Sequence, residues 1–104
     1  MSQNDPMPSS ELEKLIEIAR ENLSQRLSIS VSEINLIDAQ EVVWSDSSLG
    51  CPDPSLMYMQ VLIPGYLIRL QALGLEFEFH TNKTNAVIYC SNPSPPLPDT
   101  LQSE

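Results

Sequence analysis

Positive charge is scarce in this chain. Five lysines and arginines stand against 14 aspartates and glutamates, a formal net charge of −9. Residues 31–60 contain no base at all, yet carry Glu33, Asp38, Glu41, Asp46 and Asp53. An acidic surface repels phosphate backbones and anionic headgroups, so a nucleic-acid partner is not expected. Long apolar runs are also missing. No stretch approaches the roughly 18 apolar residues that cross a bilayer, so membrane insertion is not expected either. The opening Met-Ser-Gln-Asn-Asp-Pro-Met-Pro lacks the basic and apolar regions of a secretory leader, and a cytoplasmic location is the expectation. Cysteine occurs twice and histidine once, too few for a disulfide scaffold. Neither C-x-x-C nor H-x-x-x-H spacing is present, so no metal and no cofactor are anticipated.

What remains is ordinary globular material. At 104 residues with 41% apolar content, the chain has the length of one domain with a modest core. Residues 1–9 read as a flexible arm, 10–90 as a single domain, and 91–104, with Pro93, Pro95, Pro96 and Pro98, as a disordered tail. Ser10 and Glu13 match a capping box. Behind them Leu12, Leu15, Ile16, Ala19, Leu23 and Leu27 recur at helical spacing, which predicts an amphipathic helix over 10–27.

A short turn at Ser32-Glu33-Ile34 leads to a strand over 35–44 whose alternation leaves its buried face open. A loop follows over 45–55. The sequence then predicts a strand over 57–63, broken at Pro64-Gly65 by a turn or bulge. A hairpin of 66–71 and 75–81 comes next, around Ala72-Leu73-Gly74, where glycine supplies a positive φ. Asn82–Asn85 reads as a turn and 86–90 as the last strand. In the second hairpin arm Leu75, Phe77 and Phe79 point to the core, and Glu76, Glu78 and His80 to water. The expected fold is α+β: one N-terminal helix on an antiparallel sheet of about four strands, in two layers. Cystatin-like and PepSY-like modules share this order of elements, a likeness of topology alone. An open sheet has an edge, so a homodimer is conceivable.

The chemistry-bearing residues gather around one loop. Cys51, His80 and Asp46 are the types needed for an activated thiol nucleophile. The acidic surroundings oppose thiolate formation, and no glycine cluster offers an oxyanion hole beyond Gly50. Cys51, Cys90, His80 and Asp46 would make a tetrahedral zinc set if they converged. Against this, His80 reads more commonly as a solvated strand-end residue. Trp44, Tyr58, Tyr66 and Tyr89 can line a recognition surface or a core, with Tyr66 placed in the core by its alternation with Ile68 and Leu70. Asp46 and Ser48 are expected to cap backbone amides and fix the shape of the loop.

Trp44-x-Asp46-x-Ser48-Leu49-Gly50-Cys51-Pro52-x-Pro54 is followed by Tyr58-x-Gln60, Pro64-Gly65-Tyr66-x-Ile68, Phe77-x-Phe79-His80-Thr81 and Cys90. This series resembles a family of small bacterial and cyanobacterial domains of unknown function, often secreted or lipid-anchored. The likeness spans about residues 43–90. Two departures stand out: Ser55 replaces a glycine, and Phe77 and Phe79 replace tyrosines, so no role of those phenols carries over. In exported members a Cys51–Cys90 disulfide would tie the loop to the sheet. In a cytoplasmic member the same pair could be reduced, switchable or simply packed. The resemblance implies no activity.

The function expected is that of a non-enzymatic module binding a protein or small ligand through the Trp44–Pro54 loop, with Trp44, Asp46, Ser48 and Tyr58 as contacts. The alternatives are a thiol-dependent site at Cys51, redox or paired with His80, and a protease-inhibitor-like module. The last rests on topology alone, because Gln60–Gly65 does not hold the valine register of the cystatin hairpin.

Overall fold

The computed structural model describes residues 8–91. The side chain of Ser10, and with it the capping box, the arm as far as Met7 and the tail beyond Ser91 lie outside what it describes. Helix α1 spans Pro8–Leu27, starting two residues before the expected boundary. Its buried face is Leu15, Ile16, Ala19 and Leu23, flanked by Leu12 and Leu27, the stripe anticipated from spacing. The helix stops because Ser28 turns into the left-handed region at φ 57°. The Ile29 amide then donates back to the Ser24 carbonyl at 3.1 Å, the reverse-turn closure that helices use to satisfy their last carbonyls. A 3-10 turn at Val31–Glu33, capped by Ser30, drops Ile34 into the core.

Four strands follow: β1 Asn35–Trp44, β2 Ile63–Ala72, β3 Leu75–Asn82 and β4 Val87–Tyr89. They pair in sequence order, all antiparallel. The fold is therefore the α+β arrangement expected, one helix against a four-stranded antiparallel sheet. The β2–β3 connection is a two-residue turn in which Leu73 and Gly74 both have positive φ, 55° and 76°, the twist-matched hairpin geometry. Between β3 and β4 the Asn82 carboxamide oxygen accepts from the amides of Thr84, Asn85 and Ala86, each at 2.9 Å. One side chain thus organises that whole turn.

Three expectations fail here. No strand forms over 57–63; those residues run as irregular chain as far as Leu62, and β2 begins at Ile63. Pro64-Gly65 is neither turn nor bulge but lies inside β2, opposite Val43 and Val42. Glycine is required there for a different reason: a Cβ at Gly65 would overlap the Thr81 carbonyl and touch the Trp44 indole nitrogen at 3.0 Å. The third failure is the solvated second face. One core lies under α1, built from Tyr66, Ile68, Leu70, Ala72 and Phe79 with the helix residues. A second core occupies the opposite face, made of Val42, Trp44, Leu49 and Leu67. A register shift between Leu36 and Asp38 sets β1 so that Val42 and Trp44 reach this second core. The first four residues of β1 are left exposed.

Candidate functional site

The second core is roofed by the segment from Ser45 to Leu62, and the residues singled out in the sequence meet beneath it. Its shape is set by local hydrogen bonds. The Asp46 carboxylate accepts from both the Ser48 amide, at 2.9 Å, and the Ser48 hydroxyl, at 2.6 Å. The Leu49 amide donates to the Asp46 carbonyl and that of Cys51 to the Ser48 carbonyl, giving two consecutive turns through Leu49 and Gly50, both at positive φ. Leu49 is thereby pushed down into the core. Seven residues later the same device recurs on the surface: Asp53 accepts from the Ser55 amide and hydroxyl at 2.9 and 2.7 Å. These bonds hold the Asp53 carboxyl below its ordinary pKa. Tyr58 accepts from the Asp53 amide through its hydroxyl at 2.9 Å. Ser47 closes the loop at its neck, donating its amide to Met59 and accepting the Met59 amide on its hydroxyl.

Below this roof Trp44 is 0% exposed. Its indole N–H donates to the Thr81 carbonyl at 3.0 Å, and its ring stacks on His80 with centroids 4.4 Å apart and planes 16° apart. His80 is also 0% exposed, so its reading as a solvated strand-end residue is overturned. The alternation placed it correctly, opposite Phe77 and Phe79; the cover over that side was what could not be foreseen. Its Nδ1 faces the Leu49 carbonyl at 2.6 Å and its Nε2 the Glu78 carboxylate at 2.9 Å. Both partners of the ring are acceptors. The ring is therefore held from both sides.

Cys51 and Cys90 complete the group. Their Cα atoms are 5.7 Å apart and their sulfurs lie at disulfide distance, bonded to one another. The Cys90 amide extends the β3 ladder by donating to the Glu78 carbonyl at 2.9 Å. The bond therefore ties the loop directly to the sheet. A histidine nitrogen and both sulfurs lie within 4.8 Å of one another.

Of the residues predicted for a site, Cys51, Cys90, His80 and Trp44 come together. Asp46 and Ser48 shape the roof, and Tyr58 braces its outer turn. Trp44 and Ser48 are buried and offer no contact surface. With both sulfurs bonded there is no thiolate, and with both ring nitrogens engaged His80 has no free base. The geometry is that of an anchor and not of a nucleophile. Sequence reasoning missed Glu78, whose signal was its position two residues before His80 on the same strand face, and Gly65, Leu49 and Thr81.

The roof also carries exposed apolar groups. Met57 is 98% exposed, Met59 69% and Leu62 63%, with Leu56 and Val61 beside them. Among the described residues no helix is long and apolar enough to cross a membrane.

A family model described as a domain of unknown function, DUF8738, matches residues 16–90. That span covers the second core, the loop, both cysteines and all of the first core but Leu12 and Leu15, and the chain belongs to this family. No curated protein and no solved structure matches the chain.

Proposed function

We propose that this member of the family is a small non-enzymatic module that binds a protein partner through the outer part of its loop, residues 56–62. The presenting surface is shifted from the Trp44–Pro54 stretch expected from sequence, because Trp44 and Ser48 are buried. The observation that carries this reading is the exposure of Met57, Met59 and Leu62 on a segment pinned at its neck by Ser47. An apolar ridge fixed in place but left uncovered is the usual mark of an interaction surface. Methionines in particular adapt to irregular partner surfaces. No lysine or arginine lies between Arg26 and Arg69, so a partner with a basic rim around an apolar patch fits this side of the molecule. Where the Cys51–Cys90 bond is formed, as in an oxidising compartment, it ties the loop that carries this ridge to the sheet.

The test is recovery of partners from native extract with the full chain as bait. A Met57→Asp, Leu62→Asp double variant is expected to lose the partner by about tenfold or more while melting at the wild-type temperature, since exposed substitutions cost little stability. Retention of the same partner set at equal yield would sink the reading. Trp44→Ala is unsuited to this test, because it removes the floor of the loop along with any contact.

A further inference from the structure

We propose that the anchor is interchangeable: when the Cys51–Cys90 bond is reduced, the two thiols and His80 bind a thiophilic divalent cation of the zinc class, which replaces the disulfide as the staple between loop and sheet.

The three donor types are those of zinc sites. One sulfur sits on the roof, the other on the strand end, and the imidazole on the floor, so a single ion would join all three. Their ligand atoms already lie within 4.8 Å of one another. Closing on an ion from there requires side-chain rotation and no rearrangement of the fold, since each backbone position is held by the Cys51-to-Ser48, Cys90-to-Glu78 and β3 ladder bonds. His80 is prepared for the role as well. Whichever ring nitrogen binds, the other keeps a carbonyl or carboxylate acceptor, Leu49 or Glu78. Metal-bound imidazoles rely on such a partner to fix the ring. Trp44, stacked on the ring, limits how far it can turn.

The chemistry balances in two steps. A dithiol or phosphine reductant donates two electrons, and two protons convert the disulfide to two thiols while the reductant is oxidised. The cation then binds both sulfurs as thiolates and one imidazole nitrogen, releasing two protons, and solvent supplies the fourth ligand. Binding therefore weakens as pH falls.

The experiment uses the full chain, reduced with a phosphine under argon and titrated with Cd2+ and then Zn2+, with the oxidised chain as control. Expected is a thiolate-to-cadmium absorption band that saturates at one ion per chain, is absent from the oxidised protein, and is lost in Cys51→Ser and Cys90→Ser. X-ray absorption of the zinc-loaded wild type should show two sulfurs at about 2.3 Å and imidazole nitrogen at about 2.0–2.1 Å. That measurement reads His80 without disturbing the stack on Trp44. Where the ion takes Nδ1 and leaves Nε2 to Glu78, Glu78→Gln, at a position about one-quarter exposed, should weaken zinc about 10- to 100-fold. A band of equal size in either serine variant, a stoichiometry other than one, or a metal shell without imidazole would each overturn the proposal.

Discussion

One face of the sheet is covered by a helix that satisfies its own backbone; the other is covered by a loop that does so only in short turns. In α1 the amides and carbonyls pair within the helix, and side chains on the buried stripe are free to do nothing but pack. In the Ser45–Leu62 roof, beside those turns, four amides are met by side chains: Asp46, Ser47, Asp53 and Tyr58 each accept one. The consequence is a difference in tolerance. On the helix side a substitution removes packing alone, whereas on the loop side it removes packing, a hydrogen bond and the shape of the cover together.

The largest test of this contrast is Trp44→Ala against Leu23→Ala, both at fully buried positions. Truncating a buried tryptophan costs about 3–5 kcal/mol and a leucine about 2–5 kcal/mol. Trp44→Ala is expected to fall further in urea midpoint, because it also strands the Thr81 carbonyl and removes the stack on His80. If Leu23→Ala proves the more damaging, the two covers are not different in kind.

Reduction comes next. By chain-entropy arguments, opening a loop closed across 39 positions costs roughly 2–4 kcal/mol. Without added metal, hydrogen exchange should rise at the amides of Ser47, Cys51 and Met59 well before those of α1. Equal loosening of both faces would show that they unfold as one unit.

A smaller effect of the opposite sign is expected at Leu73, which holds a positive φ in the hairpin turn with its side chain largely in solvent. Asparagine adopts that conformation more readily. Leu73→Asn should therefore gain about 1 kcal/mol, read as a higher urea midpoint. Both faces should benefit together, because β2 and β3 contribute to each core.

Least of all is the acid response of the outer turn. The Asp53 carboxyl has its pKa lowered from 3.8 by the bonds from Ser55. Its contribution is complete above the unfolded value and disappears as pH falls through the lower folded one. The Ser55 amide resonance should shift with acid over that window, and this step should be missing from Asp53→Ala, with α1 amides unaffected.

The same contrast explains what could be read from the sequence. Leu12 to Leu27 announced the helix because a regular element imposes a period on what it buries. β3 showed its two sides by alternation, and Asp46 and Ser48 were legible as caps because such side chains bond locally. The loop's cover of the second face left no such trace. Trp44, His80 and Leu49 are far apart in sequence and meet through turns that have no period. Gly65 was misread because Pro-Gly signals a turn locally, whereas here glycine answers to Thr81, sixteen residues away in the chain. Met57 to Ile63 has the composition of a strand, but the Met59 amide and carbonyl in its middle pair with Ser47 on the loop instead.

The bond between Cys51 and Cys90 also decides how the molecule would carry tension. Pulled from its two ends, the covalent path runs through α1 and β1 to Cys51, crosses to Cys90, and leaves. The 38 residues between the bonded cysteines, which include β2, β3 and β4, bear no load along their own backbone. Only β1 has to be sheared from the sheet. In the bonded state, full extension is shortened by roughly 130 Å at about 3.4 Å per residue, and the hairpins remain folded. A domain built this way, strung under load, would keep β2, β3 and β4 paired while the Ser47 bonds that pin the Met57–Leu62 ridge are drawn apart.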